Sequence, residues 1–284
     1  MNKFILFFLV LLIFSCKTTQ TQYQTKDYLE VGKYFETVND FPQVIKLKAG
    51  NKQLIFIGTA HTREITKQAD SIDIYFNQLQ PQIAFNEGGQ VAKDKHYNDR
   101  NEAISQNAEI GQLKYLCDKQ GIQMFNGDLS ATDEFKELFK IYGREQVLLY
   151  TCCERFFALY KNNWIDTTKG IEKAYQKEFI QDLEKDGVHL NKEEKSYEYM
   201  KKAYKNFFGS SLDVYNIPTE KHYFLKDNGK LCEIGRSSKV VRDRQLLKTI
   251  ENALKKYDRI FIVFGGAHAI AIEPALRQIV KQYE

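Results

Sequence analysis

The chain has 284 residues, 43% hydrophobic and 27% charged, which suits one large domain or one domain carrying an insertion. Its net charge of +4 is mild, and basic residues are interleaved with acidic ones. It lacks the basic stripe that nucleic-acid binding needs.

In chain order, Lys3 precedes an unbroken apolar run from Phe4 to Phe14, followed by Ser15-Cys16. A basic start, a short apolar core and a small residue make a secretory signal over residues 1–15, too short to span a bilayer comfortably as a helix. Ile13-Phe14-Ser15-Cys16 resembles a bacterial lipobox, with Cys16 as the acylated first residue of the mature protein. That predicts an exported protein, lipid-anchored to the periplasmic or cell-surface face of a bacterial membrane. The alternative is an ordinary cleaved signal with a free cysteine nearby. Residues 16–35, Thr/Gln-rich at their start, read as a flexible tether, and residues 36–284 as the folded domain.

Cys117, Cys152, Cys153 and Cys232 remain after Cys16. Export permits disulfides, and sequence does not choose a pairing. No C-x-x-C spacing is present, and adjacent Cys152-Cys153 in a helical stretch point to different faces, so buried thiols are expected rather than a zinc site.

A lead-in strand or hairpin is expected around Val44-Ile45-Lys46-Leu47, with a turn at Ala49-Gly50-Asn51-Lys52. The apolar run Leu54-Ile55-Phe56-Ile57 then stops at Gly58, and His61 follows. Ile65, Ile72, Phe76 and Leu79 space a helix that Pro81 ends. Gln82–Phe85 is a second strand running out at Asn86-Glu87-Gly88-Gly89. Strand, helix, strand implies a right-handed parallel crossover, which puts Glu87 on the same sheet edge as His61. A helix over Ser105–Gln120 leads to a third strand, Ile122–Asp128, so three successive strands finish at His61, Glu87 and Asp128. Asp128 fits either this edge or the cap of the next helix.

From about 132 to 210 the chain is rich in Lys, Glu, Tyr and Phe without strand-like runs, and it reads as a helical insertion whose aromatic stripes form its core. Asn191 with Glu194 fits a helix cap and its partner. Residues 216–235 read as irregular. Ser237-Ser238 can cap a helix carrying Arg242. The last strand, Ile260–Phe264, ends in Gly265-Gly266-Ala267-His268, and a closing helix follows over Ala271–Tyr283, with Pro274 in its first turn. His96, His189 and His222 read as surface or loop histidines.

The fold class is therefore α/β, a central mainly parallel sheet flanked by helices, with a helical insertion. Two Gly-x-x-His turns leave the carboxyl ends of core strands, the edge where open sheets place ligands. His61, His268 and Glu87 could hold a divalent cation with open positions for water and substrate. Without metal, a histidine can act as general base on water, oriented by a carboxylate. Arg242 could hold an anionic group or a developing oxyanion. Gly58, Thr59, Gly265 and Gly266 would let substrate approach the backbone.

Ile57-Gly58-Thr59-Ala60-His61-Thr62 resembles the opening motif of the TraB/PrgY family, grouped with the Tiki proteases, erythromycin-esterase-like proteins and haem-binding ChaN-like lipoproteins. The likeness continues in order with Phe85-Asn86-Glu87-Gly88, Arg242-Asp243 and Val263-Phe264-Gly265-Gly266-Ala267-His268. It implies a site built from His61, Glu87 and His268. Tiki-like members imply metal-dependent proteolysis, with a cation of the manganese, cobalt or zinc kind. Esterase-like members imply histidine-assisted hydrolysis of a small-molecule ester, and ChaN-like members haem binding. The expectation is a metal-dependent hydrolase of peptides or esters. A haem or iron-binding lipoprotein and a catalytically silent interaction protein are the alternatives.

Overall fold

The structure, a computed structural model, describes residues 23–38 and 40–284. The signal over 1–15, Cys16 and the start of the tether lie outside the described residues. A five-stranded sheet has the order β1-β2-β5-β3-β4, with β1 Gln43–Ala49, β2 Lys52–Thr59, β3 Ile83–Asn86, β4 Gln123–Asn126 and β5 Arg259–Gly265. Only β1, the hairpin partner of β2, is antiparallel; β2, β5, β3 and β4 pair in parallel. Helix α2, Lys67–Leu79, joins β2 to β3, and α3, Arg100–Gln120, joins β3 to β4.

Both faces of the sheet are covered, which explains the unbroken apolar runs. Leu54, Phe56, Ile260, Ile262 and Phe264 face one core, while Ile55, Ile57, Phe261 and Val263 face the other with Ile72 and Phe76 of α2 and Leu113 of α3. The first core is closed by α10, Lys230–Leu254, and α11, Gly266–Lys281.

The insertion holds helices and no strand, as expected. It comprises α4 Ala131–Leu138, α5 Arg144–Thr151, α6 Ala158–Lys161, α7 Ile171–Ala174, α8 Gln181–Lys185 and α9 Tyr197–Phe208, with π-helical stretches over Cys152–Phe157 and Tyr175–Ile180. It has its own aromatic core around Phe156, Tyr175 and Phe179. Helix α10 ties the two halves together. Leu231 and Ile234 near its start pack in the insertion core, whereas Leu246, Leu247 and Ile250 pack against the sheet.

Several boundaries differ from the sequence reading. Residues 28–35 are not tether: α1, Tyr28–Thr37, is capped by Asp27 and buries Tyr28, Val31 and Gly32 at helical spacing. Helix α2 starts at Lys67, leaving Ile65 exposed. Helix α10 starts seven residues before the expected Ser237 cap, because Leu231 and Ile234 gain burial against the insertion. Ser238 lies inside it and donates to Glu134. Pro274 sits in the interior of α11, not its first turn, since that helix already begins at Gly266. Asn191 and Glu194 do exchange reciprocal hydrogen bonds, but they close a turn; Ser196 caps α9. Cys117, Cys152, Cys153 and Cys232 are free and buried, and burial pushes the Cys117 and Cys153 thiols up to about 12. No helix among the described residues is long and apolar enough to cross a membrane.

Candidate functional site

Strand register assembles the site. Gly58 pairs with Phe264 and Thr59 with Gly265 across β2 and β5, while Asn86 pairs with Val263 across β3 and β5. The chain exits from β2, β5 and β3 therefore lie side by side, bringing together His61, His268 in the first turn of α11, and Glu87. The Glu87 carboxylate stands between the two rings: His61 Nε2 is 3.6 Å from Oε2 and His268 Nε2 is 3.6 Å from Oε1. Each ring is held from behind by a further carboxylate. His61 Nδ1 lies 2.5 Å from Glu109 Oε1, and His268 Nδ1 lies 2.5 Å from Asp243 Oδ1. Such bonds fix ring orientation and leave Nε2 for chemistry.

Glu87 is itself clamped. Arg242 Nη2 donates to its Oε1 at 2.5 Å, and the Gly265 amide donates to its Oε2 at 2.6 Å. Arg242 also donates to both oxygens of Asp128, at 2.8 and 2.6 Å. Gly88 and Gly89, with φ of 81° and 105°, turn the chain so that their amides reach Asp128 and Asn126. Burial alone would raise the Glu87 pKa, but the Arg242 charge beside it holds it well below the usual carboxylate range. Burial also opposes ionisation of Asp128, and Arg242 again prevails. For His61, burial pulls the pKa down, yet the Glu109 hydrogen bond and the Glu87 charge outweigh it and raise it to about 9. The ring's own surface is 48% exposed although protein rises around it, because it forms part of a cavity wall.

Two non-glycine residues of positive φ, His61 and Ala108, lie at the site. His61 has φ of 52°, and its preceding amide, Ala60 N, donates to Gln68 Oε1 at 2.7 Å. Helix α3 is broken at Asn107 and Ala108, the latter with φ of 48° and ψ of −141°. That break delivers Glu109 to His61, and non-glycine residues hold such conformations only where surrounding structure compels them.

The cavity has a volume of about 670 Å³ and runs between the strand ends and the insertion. His61, Glu87, Asp128 and Arg242 line its sheet side; Glu134, Glu154, Arg155 and Trp164 line the other. The wall charges are largely paired. Arg155 bonds Glu134 at 2.6 Å, Lys239 bonds Glu154 at 2.6 Å, and Arg63 lies over the Trp164 ring at 5.3 Å.

Some roles expected from sequence change. His268 is brought to Glu87 but on its buried side, 3% exposed and off the cavity wall. Arg242 does reach the site, yet its guanidinium is spent on Glu87 and Asp128 rather than left for substrate. Asp128 anchors that arginine; Ser130 caps α4. Gly58, Thr59, Gly265 and Gly266, expected to meet substrate, are closely packed and are not among the residues lining the cavity. A Cβ on Gly58 would lie 2.7 Å from that of Ala269, and one on Gly265 2.7 Å from His61 Nε2, while one on Gly266 would strike Phe41. Thr59 Oγ1 donates to Phe264 O from a buried position. Of the remaining histidines, His96 is exposed and pairs with Asp118, whereas His222 is partly buried and its pKa is lowered by burial. Sequence reasoning missed Glu109, Asp243 and Tyr28 as members of the cluster. For Asp243 the signal was its place beside Arg242; Glu109 carried none.

Among the described residues, no three His, Cys, Asp or Glu side chains form a group that could hold a metal ion as they stand. One feature does fit a cation. Buried His268 Nε2 has no hydrogen-bond partner and lies 3.6 Å from Glu87 Oε1, and His61 Nε2 lies 3.6 Å from the other oxygen of the same carboxylate. No protein-family model, curated protein or solved structure matches the chain.

Proposed function

We propose that this protein is a hydrolase that transfers an acyl group of a peptide or small-molecule ester to water, held at a bacterial membrane through acylated Cys16. The observation that carries this reading is His61: an imidazole on the cavity wall, fixed at Nδ1 by buried Glu109 at 2.5 Å, with Nε2 turned to Glu87. Acyl transfer to water needs one proton given to the leaving atom and one taken from the attacking water. A ring fixed at Nδ1 can do both through Nε2, and its pKa of about 9 makes it the donor first near neutral pH. Glu87, kept ionised by Arg242, accepts a hydrogen bond from the water and orients it. His268, its ring held at Nδ1 by Asp243, stands behind Glu87 with Nε2 3.6 Å from Oε1. The ordered motifs that resemble the TraB/PrgY group support the same reading.

The test is hydrolysis of peptide and ester panels by the wild type, His61→Ala and His268→Ala. Loss of about 100-fold or more in His61→Ala is expected for a proton-transfer group. Equal turnover by all three proteins would remove the proposal.

A second reading is favoured by the partnerless Nε2 of His268: the same reaction assisted by a divalent cation of the manganese, cobalt or zinc kind. His61, Glu87 and His268 would hold it. Such an ion lowers the pKa of bound water and polarises a carbonyl. Elemental analysis of the purified protein, with and without His268→Gln, separates the two readings. Haem is the weaker alternative, because the cavity walls carry Glu87, Asp128, Glu134, Glu154 and Arg155, where a porphyrin needs broad apolar faces.

A further inference from the structure

Tyr28 opens α1, directly after the stretch that leads from the membrane anchor, yet its side chain ends 240 positions along the chain from its own, at His268. The phenol is 1% exposed. Its hydroxyl donates to Asp243 Oδ2 at 2.8 Å and lies 3.1 Å from His268 Nδ1. Asp243 Oδ1 meets the same Nδ1 at 2.5 Å. The ring stands edge-on to His268, whose other side meets Phe264 edge-on. The His268 ring is thus pinned between two aromatic rings, and its inner nitrogen meets a carboxylate whose second oxygen is held only by Tyr28 among the described side chains.

We propose that Tyr28 is a positioning residue of the site: by holding Asp243 it keeps the His268 proton on Nδ1 and so leaves Nε2 as the atom presented to Glu87. Without the phenol, Asp243 Oδ2 is a buried acceptor with no donor, and the carboxylate gains by rotating away from the ring to find one. His268 then loses the bond that fixes its tautomer. Its importance for turnover rests on the hydrolase reading, but the tautomer can be read without turnover. The N-terminal helix is therefore part of the site, not only its connection to the membrane.

The experiment is nitrogen NMR of the full chain with its five histidines isotope-labelled, the His268 signals being assigned by their disappearance in His268→Gln. In the wild type, Nδ1 is expected to resonate as a protonated nitrogen and Nε2 as a bare one. In Tyr28→Phe the two signals should move toward each other, with a fall in kcat/KM of about 10–100-fold, the usual cost of losing an outer-shell partner. Tyr34→Phe, on the same helix but bonded to Gln43, should leave both readouts unchanged. If Tyr28→Phe fails to fold, 3-fluorotyrosine placed at position 28 alone keeps the hydroxyl and makes it a stronger donor, and the His268 signals should still shift. Alike signals in the wild type, or signals unmoved by both changes, overturn the proposal. Shifted signals in a protein that hydrolyses nothing would overturn the hydrolase reading and leave this one standing.

Discussion

Glu109 sets the behaviour of His61 more directly than any residue legible in the sequence. Its carboxylate is buried, bonded to Nδ1, and a main reason the ring stays protonated to about 9. Glu109→Gln keeps the shape and removes the charge, so the His61 pKa should fall toward its ordinary 6.5, by one unit or more in an NMR titration. An unchanged titration would mean that Glu87 alone holds the proton. Arg242 is the converse case. Arg242→Met leaves Glu87 and Asp128 buried without their cation, a loss expected to cost about 3–5 kcal/mol, read by urea unfolding. His61, Glu87 and His268 could be found from sequence because each follows a recognisable strand. Glu109 could not, since a glutamate in a polar helix looks like a solvated one until the helix breaks beside it.

The elements were legible where burial is two-sided and poorly legible where it depends on a partner. The runs ending at Ile57, Phe85 and Phe264 declare themselves as core strands because every position is covered. Helix α1 and the first turns of α10 gain their burial from distant segments, so local pattern understates them. The break in α3 had no signal at all. It predicts that Ala108→Gly, which relieves a backbone conformation suited to glycine, stabilises the protein by about 1 kcal/mol in denaturant unfolding. A loss of stability there would show that the kink is not strained. Gly265→Ala tests the opposite limit. Gly265 has an ordinary φ of −57°, so any effect is steric, and the added methyl meets His61 Nε2 and Glu87 Oε2. Overpacking of this kind costs about 1–3 kcal/mol, and here it should also abolish the proposed hydrolysis by displacing the His61 ring.

For the whole molecule, the buried charges set a window of pH. Glu87 and Asp128 have depressed pKa values, so their contribution is complete above the ordinary carboxylate range and is lost as pH falls toward their folded values. His61 works in the other direction. Its folded pKa of about 9 lies above its ordinary 6.5, so the folded chain binds the proton more tightly than the unfolded one. That contribution is complete below 6.5 and drains away as pH climbs through 9. With half the ring exposed, solvent screening reduces it to about 1 kcal/mol. The expected outcome in urea unfolding is that the wild type exceeds His61→Gln in stability most at mildly acidic pH and that the gap closes in alkali. A gap that stays constant across that range would place the His61 proton elsewhere, and with it the acid that the proposed reaction needs.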